Sequence, residues 1–451
     1  MAGSSQHTTF ECLISDGLLE IGDGYRAKND ELGGDGAIFL RAGHVTDSRI
    51  DLTGVERFHA YLSARVSSKM SKPGDTVVTT KGNSTGRTSY VTPDLPSFVY
   101  SPHLCYWRSL APRRLAPRFL RYWAKSHEFQ HQLRGMQAST DMAPYLSLTD
   151  QRRLRISLLP ASHQHAIGDI LGSLDDKIEL NRLMSETLEA MARALFKSWF
   201  VDFDPVRAKT EGRQPSGMDS ETAKLFPRGF EINELGEIPK GWTRAPLADW
   251  VSALSGGTPS KGNPALWGGT IPWISPKVMT EIHADEADDF VTPSAMGNGT
   301  RIAPSGSTLV MVRGMGLHLK VRVSQARGDV TFNQDVKALV PKGIQANLLL
   351  FALLDGQVEL LGRVESSGHG TGKLPSEILL GHSITMPSVD VQARLARFFD
   401  ALNDRIASSR EQCRTLAAAR DELLPRLLSG AIELTAAENF LATSPRARAT
   451  P

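Results

Sequence analysis

The sequence is poor in the residues that build covalent or metal-bound sites. Its 451 residues include only three cysteines, Cys12, Cys105 and Cys413, none of which forms a CxxC pair or has a histidine at zinc-ligand spacing. Neither a disulfide framework nor a zinc site is therefore expected. No stretch of about 18 apolar residues occurs, and the N-terminal residues MAGSSQHTT lack the basic and apolar regions of a signal peptide. We therefore expect no membrane segment and a cytoplasmic location.

A motif for adenine methylation is also missing. No NPPY-type sequence occurs, and the patterns GxSxG and HExxH are matched only as short strings, by GNSTG at 82–86 and HEFQH at 127–131. The segment around Gly372 and Lys373 looks like a phosphate loop, but Leu374 follows the lysine where Ser or Thr is needed. The RGMGLH segment, from Arg313 to His318, lacks the third glycine of a dinucleotide fingerprint. We therefore predict a chain that is not an enzyme and that holds no cofactor and no metal of its own.

The main feature that is present is a duplication. Six residues recur with an offset of 228: Gln164, Ile167, Leu171, Leu174, Asp176 and Ile178 reappear as Gln392, Leu395, Phe399, Leu402, Asp404 and Ile406. Upstream, GAIFLRAGHV from Gly36 matches GTIPWISPKV from Gly269, and KPGDTVVTTKGN from Lys72 matches APSGSTLVMVRGMG from Ala303. Three matches in the same order indicate that a whole module, a globular part followed by a helix, occurs twice. Such a repeat suggests pseudo-twofold symmetry, which suits duplex DNA as a partner.

Each globular part is predicted to be α+β, with more strand than helix, because short β-type runs alternate with Gly and Pro. In the first part, strands are expected near 37–40, 76–80 and 97–100, with a helix from 117 to about 133. In the second, strands are expected near 270–274, 308–312, 319–324 and 337–340, with a helix near 345–354.

The repeated helix has the strongest periodicity. Apolar residues at spacings near three and four, from Ile167 to Trp199, predict an amphipathic helix of roughly 35 residues and about 50 Å. Its duplicate extends from Leu395 to Leu427, with Pro425 as a candidate for a kink. Pairing the two stripes as an antiparallel coiled coil would bury both and relate the modules by a pseudo-dyad. The alternative is that each helix packs only on its own module.

These patterns divide the chain into six segments. Globular domains are predicted at 1–148 and 241–386, helical regions at 149–204 and 387–430, a linker rich in Pro, Gly and charge at 205–240, and a flexible tail at 431–451. A hydrophobic content of 41% is sufficient for several cores.

The net charge of +2 argues against a general polycation, but one interval is basic. Between Arg108 and Arg134, seven Arg or Lys residues accompany a single acidic residue, Glu128. Aromatic residues lie within this interval and just before it: Tyr106, Trp107, Phe119, Tyr122 and Trp123. Such a run is suited to phosphate contact. The alternative is a solvated basic helix whose aromatic residues are part of the core.

The stretch HQHAIGDILGSLDDKIELNRLMSETLEAMARALFKSWFVDFDPVRAK, from His163 to Lys209, closely resembles the central conserved region of the specificity subunits of type I restriction-modification systems. The stretch NELGEIPKGW, from Asn233, resembles the lead into their second target-recognition domain, so the resemblance covers nearly the whole chain. The chain departs from the family at Leu159, where LPASHQ stands in place of the frequent PPxxEQ. The first module also lacks a counterpart of the GTPS turn at Gly257.

The resemblance implies a noncatalytic DNA-recognition subunit. Two target-recognition domains would each read one half of a bipartite, asymmetric DNA sequence, and the helices would act as a ruler for the spacer. The implied partners are double-stranded DNA, two modification (methyltransferase) subunits that bind S-adenosylmethionine, and two restriction (helicase-nuclease) subunits that use ATP and Mg. No membrane partner is implied.

Exposed polar loops are the candidates for contact with DNA. In the first module we predict base-reading residues Lys81, Asn83, Ser84, Thr85, Arg87 and Tyr90, with Arg113, Arg114 and Arg118 on phosphates. In the second module we predict Lys261, Asn263, Lys277, Arg313, His318, Lys320, Ser366, Ser367, His369, Thr371 and Lys373. The alternative for each is an ordinary surface loop, and Trp267 and Trp273 are expected in the core rather than stacked on bases.

Four aromatic residues, Phe196, Trp199, Phe200 and Phe203, end the first long helix. They are predicted either to dock a modification subunit or to pack internally. Two other functions remain open at this point. A standalone DNA-binding protein could use the same modules without modification or restriction partners, and an enzyme is disfavoured by the missing methylation motif.

Overall fold

The computed structural model of the chain describes residues 6–137, 144–233, 236–366 and 370–432. The chain divides into two compact units. Unit 1 comprises Met1–Asn181 and Gln412–Pro451, and unit 2 comprises Arg182–Glu411.

Unit 1 contains the first globular module. Its strands are β1 (Gln6–Thr9), β2 (Leu19–Asp23), β3 (Ile38–Leu40), β4 (Glu56–Arg57), β5 (Thr76–Thr79), β6 (Thr88–Tyr90), β7 (Phe98–Tyr100), β8 (Leu104–Ser109) and β9 (Arg155–Leu158). Its helices are α1 (Phe10–Ser15), α2 (Ser63–Val66), α3 (Pro117–Trp123), α4 (His127–Gln137) and α5 (Leu148–Arg152). The strands form sheets in the orders β2-β8-β5-β6 and β4-β3-β7, and β1 pairs with β9.

Two long helices follow the two modules. They are α6 (Ala161–Phe196), which continues into a π-helical turn at Lys197–Val201, and α13 (Val389–Leu428), the last helix among the described residues. They are 36 and 40 residues long, and α13 continues through Pro425 to Leu428.

The segment predicted as a linker carries its own structure. It contains α7 (Asp204–Thr210), α8 (Ser220–Ala223) and the hairpin of β10 (Phe230–Asn233) and β11 (Gly236–Pro239). Phe226 in this segment is 1% exposed and packs in the core of unit 2.

Unit 2 contains the second globular module. Its strands are β12 (Thr243–Pro246), β13 (Val251–Ser255), β14 (Trp267–Ile274), β15 (Asp289–Val291), β16 (Ile302–Ala303), β17 (Thr308–Met311), β18 (Arg313–Gly314), β19 (Val323–Gln325), β20 (Val330–Phe332), β21 (Val336–Pro341), β22 (Glu365–Ser366), β23 (Gly372–Lys373) and β24 (Ser383–Met386). Its helices are α9 (Leu247–Trp250), α10 (Ala346–Asp355), α11 (Gln357–Leu361) and α12 (Ser376–Gly381). The main sheet has the order β13-β21-β17-β19, a second has the order β15-β14-β20-β16, and β12 pairs with β24.

The two modules share one topology, which confirms the predicted α+β duplication. The order β2-β8-β5-β6 corresponds to β13-β21-β17-β19 strand by strand, and each second sheet contains one parallel pair, β3 with β7 and β14 with β20. Each module also starts and ends on an antiparallel strand pair, β1 with β9 and β12 with β24. We call these two pairs the strand stems.

The repeated glycines have a common structural reason. A Cβ atom at Gly36 would lie 2.8 Å from the carbonyl oxygen of Phe58, and one at Gly269 would lie 2.3 Å from that of Val291. In both modules a neighbouring backbone passes too close to accept a side chain.

The long helices pair in antiparallel fashion, as the apolar stripes predict. In unit 1, Ile167, Leu171 and Leu174 of α6 pack with Leu416 and Leu423 of α13. In unit 2, Phe196 of α6 lies 6.0 Å from Phe399 of α13, ring centre to ring centre. Later residues of α6 therefore meet earlier residues of α13.

Each long helix is also fixed to its own module by the repeated glutamine. The Gln164 side-chain oxygen accepts a 3.0 Å hydrogen bond from the backbone N–H of Ala116, and that of Gln392 accepts a 3.2 Å bond from the N–H of Gln345. Each glutamine amide also donates to the carbonyl five residues before it. Both glutamines are buried. The helices pair with each other and also pack on their modules, so the alternative that each helix packs only on its own module is wrong.

Two predicted elements differ in the structure. The helix expected from 117 to about 133 is two helices, because the Ser126 hydroxyl accepts a hydrogen bond from the N–H of Phe129 and starts α4. The strand expected at 319–324 is shorter, because Leu319 and Lys320 both donate backbone hydrogen bonds to Gly316 in a turn.

Candidate nucleic-acid interface

The loop between β5 and β6 holds five of the predicted base-reading residues. Lys81 and Asn83 are exposed, whereas Ser84, Thr85 and Arg87 are partly buried. The Thr85 hydroxyl donates to two backbone carbonyl oxygens, at 2.7 and 2.9 Å, which braces the loop. Lys81 and Asn83 are therefore the side chains that this loop presents most fully to solvent.

Arg87 is held at the base of the same loop. Its Nε lies 3.4 Å from an Asp47 carboxylate oxygen, and its Nη1 donates to the Val45 carbonyl at 3.2 Å. The Asp47 side chain is 85% exposed, so the ion pair contributes about 0 to 1 kcal/mol. A phosphate could replace Asp47 at little cost.

The structure places Tyr90 and Arg118 on the face of the module that packs against α6. The Tyr90 ring lies 5.1 Å from the guanidinium carbon of Arg121, and Arg118 forms a 2.8 Å ion pair with Asp176 of α6. Burial raises the pKa of Tyr90. This placement does not fit the predicted base contact of Tyr90 or the predicted phosphate contact of Arg118, because both side chains are engaged in docking the module on its helix.

The basic interval is therefore divided. Arg113 and Arg114 lie in the exposed turn before α3. Arg108 and Arg121 are buried in ion pairs, with Asp75 and Asp175 respectively. The aromatic residues in and just before the interval belong to the core: Tyr106, Trp107, Phe119, Tyr122 and Trp123 are all at most 5% exposed. The aromatic residues are therefore part of the core, as the alternative interpretation predicted. Arg113 and Arg114, in the exposed turn, can still contact phosphate.

In the second module, a small sheet brings several predicted residues together. It has the order β18-β23-β22, with Arg313 opposite Lys373 and Lys373 opposite Glu365. Ser366 pairs with the residue next to Lys373, and the His318 ring nitrogen Nε2 lies 3.0 Å from the carbonyl oxygen of residue 370. Two basic side chains, a hydroxyl and an imidazole thus share one exposed edge.

The remaining predictions for this surface have mixed placements. Lys320 is exposed and Thr371 is partly buried. Ser367 and His369 lie outside the described residues.

The two loops before and after β14 hold the other predicted residues of the second module. Lys261 and Asn263 are exposed, and the Lys261 ammonium lies 5.9 Å from the centre of the Trp267 ring. Lys277 is exposed and forms a 2.6 Å ion pair with Asp288, which raises its pKa. Trp273 is 8% exposed and packs edge-on against Trp267, as expected for core residues.

The two principal loops occupy equivalent places in the two modules. The first follows β5 with Lys81, and the second follows β17 with Arg313, at the offset of 232 found in the sequence repeat. The loops differ in sequence, STGR after Asn83 against LHLK after Gly316. Equivalent loops with different polar groups can contact different base edges.

Two exposed apolar side chains were not predicted. Met315 is 66% and Leu319 is 83% exposed, and both lie between Arg313 and Lys320. Apolar residues inside a glycine-rich basic loop were the available signal, and they suit contact with a thymine methyl group.

The four aromatic residues at the end of α6 are buried by the chain itself. Phe196, Trp199, Phe200 and Phe203 are 2%, 4%, 3% and 8% exposed. Phe196 stacks on Phe200, and Phe203 packs edge-on against Trp242. This is the internal-packing alternative, so these rings are not available as exposed anchors for a partner.

Among the described residues, no group of three or more His, Cys, Asp or Glu side chains is arranged to hold a metal ion. Within the same residues, no helix combines the length and the apolar character needed to cross a membrane.

The chain is similar in sequence to one group of known proteins. Residues 239–416 match the family described as type I restriction modification DNA specificity domain. The type I restriction enzyme HindI specificity subunit of Haemophilus influenzae is 28% identical over 408 residues, 81% of this chain and 88% of that protein. The EcoR124I/EcoR124II specificity subunit of Escherichia coli is 29% identical over 38% of this chain and 40% of that protein.

A solved structure has a similar fold. The crystal structure of the S subunit of a type I restriction-modification system from M. genitalium superposes with a TM-score of 0.54, at 16% identity, and covers 94% of this chain and 95% of that one.

Proposed function

Because the chain belongs to the family of DNA specificity subunits of type I restriction-modification systems, we propose that it recognises a bipartite, asymmetric sequence in double-stranded DNA. Each globular module would be a target-recognition domain that reads one half of the sequence. Modification and restriction would be carried out by other subunits.

The observation that carries this proposal is the equivalence of the two loops described above. Lys81 and Asn83 in the first module, and Arg313, His318 and Lys320 in the second, are exposed after equivalent strands. Lys and Arg suit guanine, and Asn suits adenine, in the major groove. Two loops with different side chains on one scaffold would give an asymmetric target.

Phosphate contacts would orient the modules on the duplex. In the first module, Arg113 and Arg114 are exposed members of the basic interval, and in the second, Lys261 and Lys373 are exposed. Such contacts supply affinity without sequence information.

The paired helices would set the spacer between the half-sites. A helix of 36 residues is about 54 Å long at a rise of roughly 1.5 Å per residue. This is more than one turn of B-DNA, roughly 34 to 36 Å.

A solvent-facing row on α6 is the candidate docking surface for a modification subunit. In unit 2, the row consists of Leu183, Thr187, Ala190, Met191 and Ala194. Leu183 and Met191 are 45% and 54% exposed. Apolar residues exposed at helical spacing suit the packing of a partner helix.

A cleft in the same unit extends this surface. It has a volume of about 530 Å³ and is lined by Leu195, Leu225 and Phe398, the last of which is 40% exposed. We propose a complex with two modification subunits, which bind S-adenosylmethionine, and two restriction subunits, which use ATP and Mg. The exposed row and the cleft take the role first expected of the buried aromatic residues.

Reconstitution tests the proposal. The chain mixed with its modification subunit should methylate adenines at one bipartite sequence, and base-modification sequencing should report both half-sites and the spacer. The chain alone should transfer no methyl groups, and transfer by the chain alone would contradict the proposal. The alternative, a standalone DNA-binding protein, would be supported if the chain bound a specific sequence while no modification subunit was encoded beside it.

A further inference from the structure

Asp175, on α6, is the centre of a buried ion cluster in unit 1. Its carboxylate lies 2.7 Å from Nη2 of Arg121 and 2.6 Å from Nη1 of Arg420, and it accepts a 2.6 Å hydrogen bond from the Tyr122 hydroxyl. Burial opposes ionisation, but the two guanidinium groups hold the pKa of Asp175 below its ordinary value. The first module, through Arg121 and Tyr122 of α3, therefore docks on its helix by charge.

Asn403, on α13, occupies the equivalent position 228 residues later in unit 2, but its partners are neutral. Its amide nitrogen donates to Gln325 at 2.9 Å and to Asn347 at 2.8 Å, and its amide oxygen lies 2.8 Å from Nε2 of His283. Burial lowers the pKa of His283 to about 4, so the ring is neutral near pH 7. The second module docks by amide hydrogen bonds.

The whole cluster changes between the copies, not one residue alone. Because Gln164 binds Ala116 and Gln392 binds Gln345, α3 aligns with α10. The first-copy residues Arg121, Tyr122, Asp175 and Arg420 then correspond to Leu350, Phe351, Asn403 and Ala192. All four residues of the second copy are at most 1% exposed. Every charged member of the first cluster thus has an uncharged counterpart.

We propose that Asp175 and Asn403 are positioning residues that restrict each recognition domain to its own helix. Both helix copies carry the apolar stripe and the repeated glutamine, so these two features do not by themselves distinguish the modules. On the wrong helix, Arg121 would be buried against Asn403 without a counter-ion, and Asp175 would face Leu350. A buried charge without a partner costs far more than an exchanged apolar contact, so the wrong pairing is excluded.

The strand stems allow a direct test in the full-length chain. In a duplicate-module chain, residues 247–382 replace residues 10–154, so that β1 and β9 close on a second copy of the second module. Its helix α6 still carries Asp175, and α13 still carries Arg420. The double substitution Asp175→Asn and Arg420→Ala gives this site the residues of the second copy.

The same double substitution should have opposite effects in the two chains. In the natural chain it leaves Arg121 without its anion and should lower the melting temperature by roughly 5 to 15 °C. In the duplicate-module chain it should raise the melting temperature and slow hydrogen exchange in the inserted copy of α10. A loss of stability in both chains would show a merely structural role and would overturn the inference.

Point variants keep the inference testable if the duplicate-module chain does not fold. Asn403→Asp places a carboxylate against the side-chain oxygens of Gln325 and Asn347 and should lower the melting temperature clearly at pH 8. Asp404→Asn, at the adjacent exposed residue paired with Arg327, is the matched control and should change it little. Equal melting of the Asn403→Asp variant and the natural chain would overturn the inference. These measurements need neither DNA nor partner subunits, so they can fail independently of the proposed function.

Discussion

The Asp75 carboxylate accepts two hydrogen bonds, each 2.7 Å long, from the guanidinium group of Arg108, and both side chains are buried. The pair links the start of β5 to β8, the central strands of the first module. Asp75 also accepts a 2.8 Å hydrogen bond from the Tyr100 hydroxyl, so one buried carboxylate joins three strands.

We expect Asp75→Asn to destabilise the first module by about 3 to 5 kcal/mol, because Arg108 would stay buried without a counter-ion. Urea unfolding followed by tryptophan fluorescence measures the effect, since Trp107 and Trp123 lie in this module. The control is Asp23→Asn, which removes the more exposed pair with Lys69 and should cost less than about 1 kcal/mol. Equal losses in the two variants would show that the buried pair has no special role.

The two glutamines provide a pair of matched variants. Gln164→Ala leaves the buried N–H of Ala116 without an acceptor and should cost about 1 to 3 kcal/mol. Gln392→Ala should have a similar effect in the second module. Hydrogen exchange with mass spectrometry should show faster exchange at α3 in the first variant and at α10 in the second. Changes confined to the same module in both variants would contradict the assignment of one glutamine to each module.

Substitutions of Arg313 and Lys81 test whether each module recognises one half of the DNA target. We expect Arg313→Ala to relax recognition in one half-site only, with a loss of about 1 to 3 kcal/mol of discrimination at the contacted base. Lys81→Ala should affect the other half-site. Methylation of a library of randomised targets by the reconstituted complex measures both. If either variant changed the two half-sites together, the modules would not read independently.

Shortening both long helices tests the proposal that they set the length of the DNA spacer between the two half-sites. Deleting one turn from each helix within unit 2, residues 184–187 and 408–411, removes about 6 Å. The preferred spacer should shorten by about two base pairs while both half-sites are kept. The modified sites of the variant complex report this directly. An unchanged spacer would exclude the helices as the ruler.

The repeat made much of the fold predictable. Gly36 and Gly269 recur because a backbone passes close to both, and Gln164 and Gln392 recur because both hold a module on its helix. Each of these constraints acts on a single position of the module, so the same residue is found at that position in both copies. A pattern comparison within one chain is enough to find them.

The docking residues could not be predicted in this way. Asp175 meets Tyr122 and Arg420, which lie 53 and 245 residues away in the sequence, so no local spacing connects them. The same limit explains the placement of Arg118 and Tyr90. Their residue types suit DNA contact, but only the packed structure shows which face of the module is turned to α6.

The strand stems have a consequence for the inheritance of specificity. In each stem the two ends of a module lie side by side, β1 against β9 and β12 against β24, in unbroken antiparallel register. A gene crossover within the codons of both stem strands would exchange everything between them and leave the helix codons unchanged. A module of different sequence and length could then be acquired in one event, while the two long helices are retained.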